Sequence, residues 1–200
     1  MTHRHDPIAG ILLAAGSSSR MGQPKQLLDF DGRPLVRIAA EHALAAPIDR
    51  LLVVVGAAGD AVAEALAALP LDIVVNADFA TGQSSSLRAG VAALPAATGA
   101  ALILLSDQPF VTPDIIAALV AAWRSGGGPI VVPVYRGQRG TPVLFDRVLF
   151  PELLAVHGDQ GARSVIAGNP ARVTAVMFDD DQPLIDIDTP AEYQQHRGRQ

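Results

Sequence analysis

Ile8-Ala9-Gly10-Ile11-Leu12-Leu13-Ala14, followed by Ala15-Gly16-Ser17-Ser18-Ser19-Arg20, decides the architecture. The first seven residues form a continuous aliphatic run without the polar alternation of a half-exposed strand. They read as a strand buried on both faces. The glycine and serines that follow end the run and open a polar loop. Similar short runs recur at Leu51–Val55, Ile73–Val75, Ala101–Leu105, Ile130–Val134, Val173–Phe178 and Leu184–Ile187. Between them lie longer stretches with helical spacing, at Leu35–Ala46, Ala58–Leu69, Ser84–Leu94, Asp114–Trp123 and Val148–Val156. Alternation of strand and helix predicts an α/β protein with a mostly parallel central sheet, and right-handed crossovers place helices on both faces.

Punctuation agrees with this reading. Pro34 sits where a helix would begin, and Thr112-Pro113-Asp114 reads as an N-cap followed by a first-turn proline and acid. Thr189-Pro190-Ala191-Glu192 repeats the pattern. Gly126-Gly127-Gly128-Pro129 reads as a helix-to-strand turn rather than a domain boundary, because a strand follows at once. No repeat and no low-complexity linker interrupts the chain, so residues 1–200 are expected to form a single domain.

Composition removes several function classes. Half of the 200 residues are hydrophobic but only 4% are aromatic, so the core must be built from alanine and branched aliphatics, which let helices lie close on a sheet. That apolar fraction and a net charge of -5 exclude a disordered chain and a protein that covers nucleic acid by charge alone. With no cysteine there is no disulfide, thiolate zinc site or thiol nucleophile. No apolar run approaches the ~20 residues of a membrane span, and the N-terminus lacks a signal-peptide pattern. The expectation is a soluble cytoplasmic protein without membrane or nucleic-acid partners and, by default, a monomer.

Ligands of open α/β sheets bind beyond the carboxyl ends of the strands. The loop after the first run carries Gly16, three serines, Arg20 and Lys25. It matches neither common phosphate loop. Its ingredients nevertheless suit a polyphosphate: backbone N–H groups that can approach closely, hydroxyls, a bidentate guanidinium and a compact ammonium. The residues alone also allow a glycine- and serine-rich surface turn. Asp107 ends the run Leu104-Leu105-Ser106-Asp107-Gln108-Pro109, where a carboxylate could hold magnesium or cap the next turn. In Ile185-Asp186-Ile187-Asp188-Thr189-Pro190, strand alternation would send Asp186 and Asp188 to one face. Asp179–Asp181 reads as a solvated turn, and the histidines have no clustered partners.

Leu13-Ala14-Ala15-Gly16-x-Ser18-x-Arg20-Met21-Gly22-x-x-Lys25 resembles the signature of the MobA-like nucleotidyltransferases, most closely the molybdenum cofactor cytidylyltransferase (MocA-like) group. The resemblance covers nearly the whole chain. It implies a three-layer α/β/α Rossmann-like nucleotidyltransferase fold. It also implies Mg²⁺-dependent transfer of CMP from CTP to the phosphate of molybdopterin, with release of pyrophosphate. Arg20 and Lys25 would bind the triphosphate, and Ala14, Ala15, Gly16 and Ser17 would lie near base and phosphates. Asp107 and Asp188 would hold metal, with Asp186 supporting them. Arg20, Lys25 and Asp107 would carry the catalysis.

Other segments extend the resemblance. Gly82-Gln83-Ser84-Ser85-Ser86 is similar to the group's G-[MQ]-S-x-S near the base, assigning Gly82, Ser84 and Ser86 to the nucleotide, with Arg88 as support. Arg139-Gly140-Thr141-Pro142 and Gly158-Asp159-Gln160-Gly161-Ala162-Arg163 resemble acceptor segments, assigning Gly140, Pro142, Asp159, Gly161 and Arg163 to the second substrate. Thr141 departs from the His or Asn common there. A phosphate nucleophile has its second pKa near ~6 and needs no general base, which agrees with a site lacking His and Cys. A guanylyltransferase for the same cofactor, a transferase to another small phosphorylated acceptor, and a non-catalytic nucleotide-binding module are the alternatives. A molybdo-hydroxylase or its chaperone would receive the product.

Overall fold

A computed structural model describes residues 5–16, 24–187 and 192. The strands are β1 (Ile8–Ala14), β2 (Asp29–Phe30), β3 (Arg33–Pro34), β4 (Arg50–Val55), β5 (Asp72–Val75), β6 (Ala100–Leu105), β7 (Ile130–Tyr135), β8 (Gln138–Arg139), β9 (Val143–Asp146) and β10 (Val173–Phe178). The helices are α1 (Leu35–Leu44), α2 (Gly59–Ala65), α3 (Gln83–Ala92), α4 (Pro113–Arg124), α5 (Phe150–Leu154) and α6 (Arg163–Gly168). The main sheet runs in the order β10-β7-β9-β6-β1-β4-β5, with β8 on β7. The pairs of β1 with β4 and β6, of β4 with β5 and of β10 with β7 are parallel. β9 lies antiparallel between β6 and β7. β2 and β3 form a separate antiparallel pair.

Strand parity sorts the core into two layers. Ile8, Leu12, Val53, Leu102 and Leu104 meet α1, α2 and α4 through Val36, Ala40, Val62, Ile116 and Trp123. Ile11, Val54, Ala101 and Ile103 meet α3, α5 and α6 through Leu87, Val91, Leu153 and Val165. This is the three-layer α/β/α arrangement expected from the sequence. α3 lies closest to the sheet at Gly90. A Cβ there would stand 2.5 Å from Ile11 Cγ2 and 3.1 Å from Val54 Cγ2, so the helix lies as near the sheet as its backbone allows. Trp123 is buried on α4 and donates its indole N–H to Asp146 Oδ2 at 3.0 Å.

Three readings change. Leu184–Ile187 does not form a strand: Gln182–Leu184 is a 3₁₀ turn, and 185–187 continues without a ladder. Its apolar residues are used differently. Ile187 is buried with Leu28, Phe30, Leu35 and Ile38, a cluster that Ile185 and Phe110 cover. Val148–Val156 is shorter than expected, a 3₁₀ turn at Arg147–Leu149 followed by α5. α2 stops at Ala65, before Ala68 turns to a φ of 68°. Thr112 caps α4 as expected, its Oγ1 accepting from Ile115 N at 3.5 Å. Among the described residues, no helix is long and apolar enough to cross a membrane.

Candidate active site

The carboxyl ends of β1 and β6 are neighbours because the two strands pair along their length. Two open clefts lie there, of about 360 and 420 Å³, and they meet at Leu13, Gln83 and Leu105. Ala15, Gly16, Lys25, Ser86 and Asp107 line the first. Gln108, Arg139, Gly140, Thr141, Gly161 and Arg163 help line the second. Successive residues at the tip of β6 thus serve opposite sides, Asp107 the first cleft and Gln108 the second.

Lys25 and Asp107 form an ion pair in the first cleft, with side-chain exposures of 19% and 12%. With water partly excluded, the attraction between two opposite charges is stronger than at a fully solvated surface. Asp107 is also anchored through its backbone, where its carbonyl accepts from Ile187 N at 3.0 Å. The next residue after Ile187 is Asp188, and it lies outside the described residues, as do Ser17 and Arg20. Among the described residues, no group of three or more His, Cys, Asp or Glu converges. Asp107 still offers what a divalent cation takes from such a site: one hard oxygen donor beside space for phosphate oxygens and water.

The glycine-bearing end of β1 is held by a residue that the motif reading did not single out. Gln26 is 1% exposed, and its amide donates to Ala14 O at 3.2 Å and Gly16 O at 2.8 Å. The Ala14 carbonyl is therefore engaged by the protein, and Ala15 and Gly16 face the cleft.

On the far wall, α3 begins at Gln83 after Gly82, whose φ of 108° only glycine adopts easily. A Cβ on Gly82 would lie 2.4 Å from Asp159 Oδ1 and 2.8 Å from Gly158 O. The loop at 158–161 thus closes directly over the start of the helix. Ser84 N donates to Gly158 O at 3.1 Å. The Ser84 side chain is fully buried, its hydroxyl has no hydrogen-bond partner among the described residues, and it lines neither cleft. Ser86 does line the first cleft, and Asn76 Nδ2 donates to its Oγ at 3.0 Å and to Ser85 Oγ at 2.8 Å. Arg88 points to the Val156 carbonyl at 2.6 Å, tying α3 to the segment before the 158–161 loop.

Among the acceptor candidates, Gly140, Gly161 and Arg163 line the second cleft. Asp159 lines the first instead. Pro142 lines neither, and borders a void of about 10 Å³ with Ala39, Leu104 and Val111. Thr141 and Gln108 are joined: the Thr141 hydroxyl donates to Gln108 Oε1. Gln108 Nε2 in turn donates to Asp186 Oδ1 at 2.7 Å. Tyr135, fully buried, donates its hydroxyl to the Thr141 carbonyl at 2.9 Å. Burial pushes the Tyr135 phenol well above its usual value near 10. The sequence showed Thr141 as a departure from a motif, but no spacing signal joins it to Gln108 and Asp186.

Comparison with known proteins matches this arrangement to one family. The model of the MobA-like NTP transferase domain matches residues 10–175. The chain is 35% identical over 191 residues to nicotine blue oxidoreductase of Paenarthrobacter nicotinovorans, covering 91% of this chain and 92% of that one. It is 32% identical to the purine catabolism protein PucB of Bacillus subtilis, covering 93% and 94%. It is 26% identical to the molybdenum cofactor cytidylyltransferase of Escherichia coli, covering 92% of each. Among solved structures, a mycobacterial homologue of Rv0371c from strain JC1 superposes with a TM-score of 0.84 at 33% identity, covering 94% and 93%. Rv0371c of Mycobacterium tuberculosis in complex with manganese gives 0.81 at 29%, covering 97% and 100%. The chain belongs to the MobA-like NTP transferase domain family.

Proposed function

We propose that this chain is a cytidylyltransferase of molybdenum cofactor synthesis, moving CMP from CTP to the phosphate of molybdopterin and releasing pyrophosphate. The observation that carries the reading is the pair of clefts meeting at Leu13, Gln83 and Leu105, with Lys25 and Asp107 in one and Arg139 and Arg163 in the other. In this reading the first cleft takes the substrate with a polyphosphate and the second the one with an anionic tail. The E. coli relative named as a molybdenum cofactor cytidylyltransferase supports the acceptor, and it aligns over 92% of both chains. In this reading residues 1–200 act as a single nucleotidyltransferase domain. Its N-terminal part holds the nucleotide, and residues about 130–200 supply the acceptor site and a metal ligand.

The reaction asks for alignment and charge neutralisation rather than for a protein nucleophile. An acceptor phosphate oxygen attacks the α-phosphorus of CTP, forming a new P–O–P bond, and the bond to the β-phosphate oxygen breaks. The pyrophosphate leaves with the electron pair. Lys25 and Arg20 stabilise its developing charge, while Ala15, Gly16, Gly82 and Ser86 orient the nucleotide. Asp107 and Asp188 would hold Mg²⁺, which would supply electrostatic stabilisation of the phosphates. Gly140, Gly161 and Arg163 position the acceptor. The product would pass to a molybdo-hydroxylase or its chaperone.

The test is pyrophosphate release with each of the four nucleoside triphosphates and Mg²⁺, with and without molybdopterin. Release that requires both CTP and molybdopterin is expected. Preferential release with GTP would transfer the reading to a guanylyltransferase. Nucleotide binding without release under any combination would make the chain a binding module and refute the proposal.

A further inference from the structure

Gln108 is 6% exposed and reaches two partners from distant parts of the chain. Its Oε1 accepts from the Thr141 hydroxyl, and its Nε2 donates to Asp186 Oδ1 at 2.7 Å. The polarity of the contact is set by chemistry, since an ionised carboxylate only accepts and the amide must turn its NH₂ toward Asp186. Thr141 is itself held by Tyr135, which donates to its carbonyl at 2.9 Å. The residue after Asp186 donates its N–H to the Asp107 carbonyl at 3.0 Å. A continuous polar chain therefore runs from Tyr135 in β7 to the backbone beside the Asp107 carboxylate. Gln108, Thr141 and Asp186 also form part of the acceptor-side wall.

We infer that Gln108 is a positioning residue: held between Thr141 and Asp186, it fixes the segment ending at Ile187 against Asp107 and so aligns the acceptor cleft with the nucleotide cleft. This deepens the proposed function and rests on it for its kinetic consequence. The geometric consequence stands without it. A buried amide with both ends engaged has one orientation, and reversing the polarity at one end reverses a hydrogen bond into a repulsion.

The discriminating set is Gln108→Glu, the double variant Gln108→Glu with Asp186→Asn, and Thr141→Val. Gln108→Glu puts two carboxylates together, whereas Asp186→Asn restores a donor facing the new acceptor. Hydrogen exchange of the Ile187 amide reads position without any activity. It is expected to speed at least ~10-fold in Gln108→Glu and to return toward wild type in the double variant. Thr141→Val, the milder change, should show a smaller acceleration of the same amide. In pyrophosphate release, the single variants should raise the acceptor KM. Ile187 exchange unmoved in Gln108→Glu, or a double variant no better than the single, overturns the inference. If wild type releases no pyrophosphate with any nucleotide, the functional proposal fails, and the exchange result still decides the role of Gln108.

Discussion

Lys25 donates from Nζ to Oδ2 of Asp107, joining positions 82 residues apart across the nucleotide-side cleft. The cation assigned to phosphate and the carboxylate assigned to metal thus neutralise one another before substrate arrives. A net charge of -5 is therefore a poor guide to the field in the cleft. A triphosphate with its metal would exchange this one ion pair for two, ammonium to phosphate and carboxylate to cation. Lys25→Ala or Asp107→Ala is expected to lower turnover by at least ~10²-fold, the effect of losing one well-placed electrostatic group. Pyrophosphate release at saturating CTP checks this. Near-normal turnover in either variant would remove the pair from the mechanism.

Gln26 makes a second prediction. Its amide is buried and serves both Ala14 O and Gly16 O, so Gln26→Leu keeps most of the volume and strips two carbonyls of their donor. Leaving the buried Ala14 carbonyl without this donor costs on the order of 1–3 kcal/mol, whereas the exposed Gly16 carbonyl can turn to water. Weaker nucleotide binding should accompany the loss of stability, because Gly16 borders the cleft. Calorimetric titration with CTP and thermal unfolding measure the two effects. Unchanged affinity would mean that the Gly16 backbone is not part of the nucleotide site.

What could be read from the sequence follows from physics that acts locally. β1, β4, β6 and β7 are short continuous aliphatic runs because both faces of the strands are covered by helices, whereas β10, at the sheet edge, leaves Ala175 and Met177 exposed. β9 carries little signal in the sequence because its apolar stretch is only Val143-Leu144-Phe145, shorter than its partners β6 and β7. Leu184–Ile187 misled because a run of aliphatics reports burial, not hydrogen-bonding partners; Ile187 is buried against Phe30 and Leu35 without entering the sheet. The charged candidates Lys25 and Asp107 were legible from their places at loop and strand tip. The amides were not. Gln26 bonds residues 10 and 12 positions away, and Gln108 reaches Asp186 across 78 positions, so neither leaves a spacing that a sequence can display.

At Gly82 the conformation and the space give the same answer. Its φ of 108° disfavours any side chain, and a Cβ would stand 2.4 Å from Asp159 Oδ1. Gly82→Ala is expected to destabilise the fold by about 1–3 kcal/mol, the usual cost of forcing a side chain into such a conformation. In a protein of this size that corresponds to a fall in Tm of roughly 2–4 °C per kcal/mol. Displacement of the 158–161 loop should raise the KM for both substrates, since Asp159 lines one cleft and Gly161 the other. A variant with wild-type Tm and kinetics would show that this loop does not close the site.

Tyr135 yields a prediction read at alkaline pH. Burial raises its folded-state pKa, so above the unfolded value near 10 the native state holds a proton that the unfolded chain has lost. Its contribution to stability is full below pH ~10 and declines as pH rises from there toward the folded value. Native protein should therefore show no phenolate absorbance from Tyr135 until the alkaline unfolding transition, where it appears together with the loss of circular dichroism. In Tyr135→Phe the native-state absorbance titration should be unchanged, while the absorbance step at unfolding shrinks. The same variant leaves the Thr141 carbonyl without its 2.9 Å donor, at a cost of about 1 kcal/mol. Appearance of a Tyr135 phenolate in the folded protein near pH 10 would mean that the ring is solvated. Its hold on Thr141, and through Thr141 on Gln108, would then be lost.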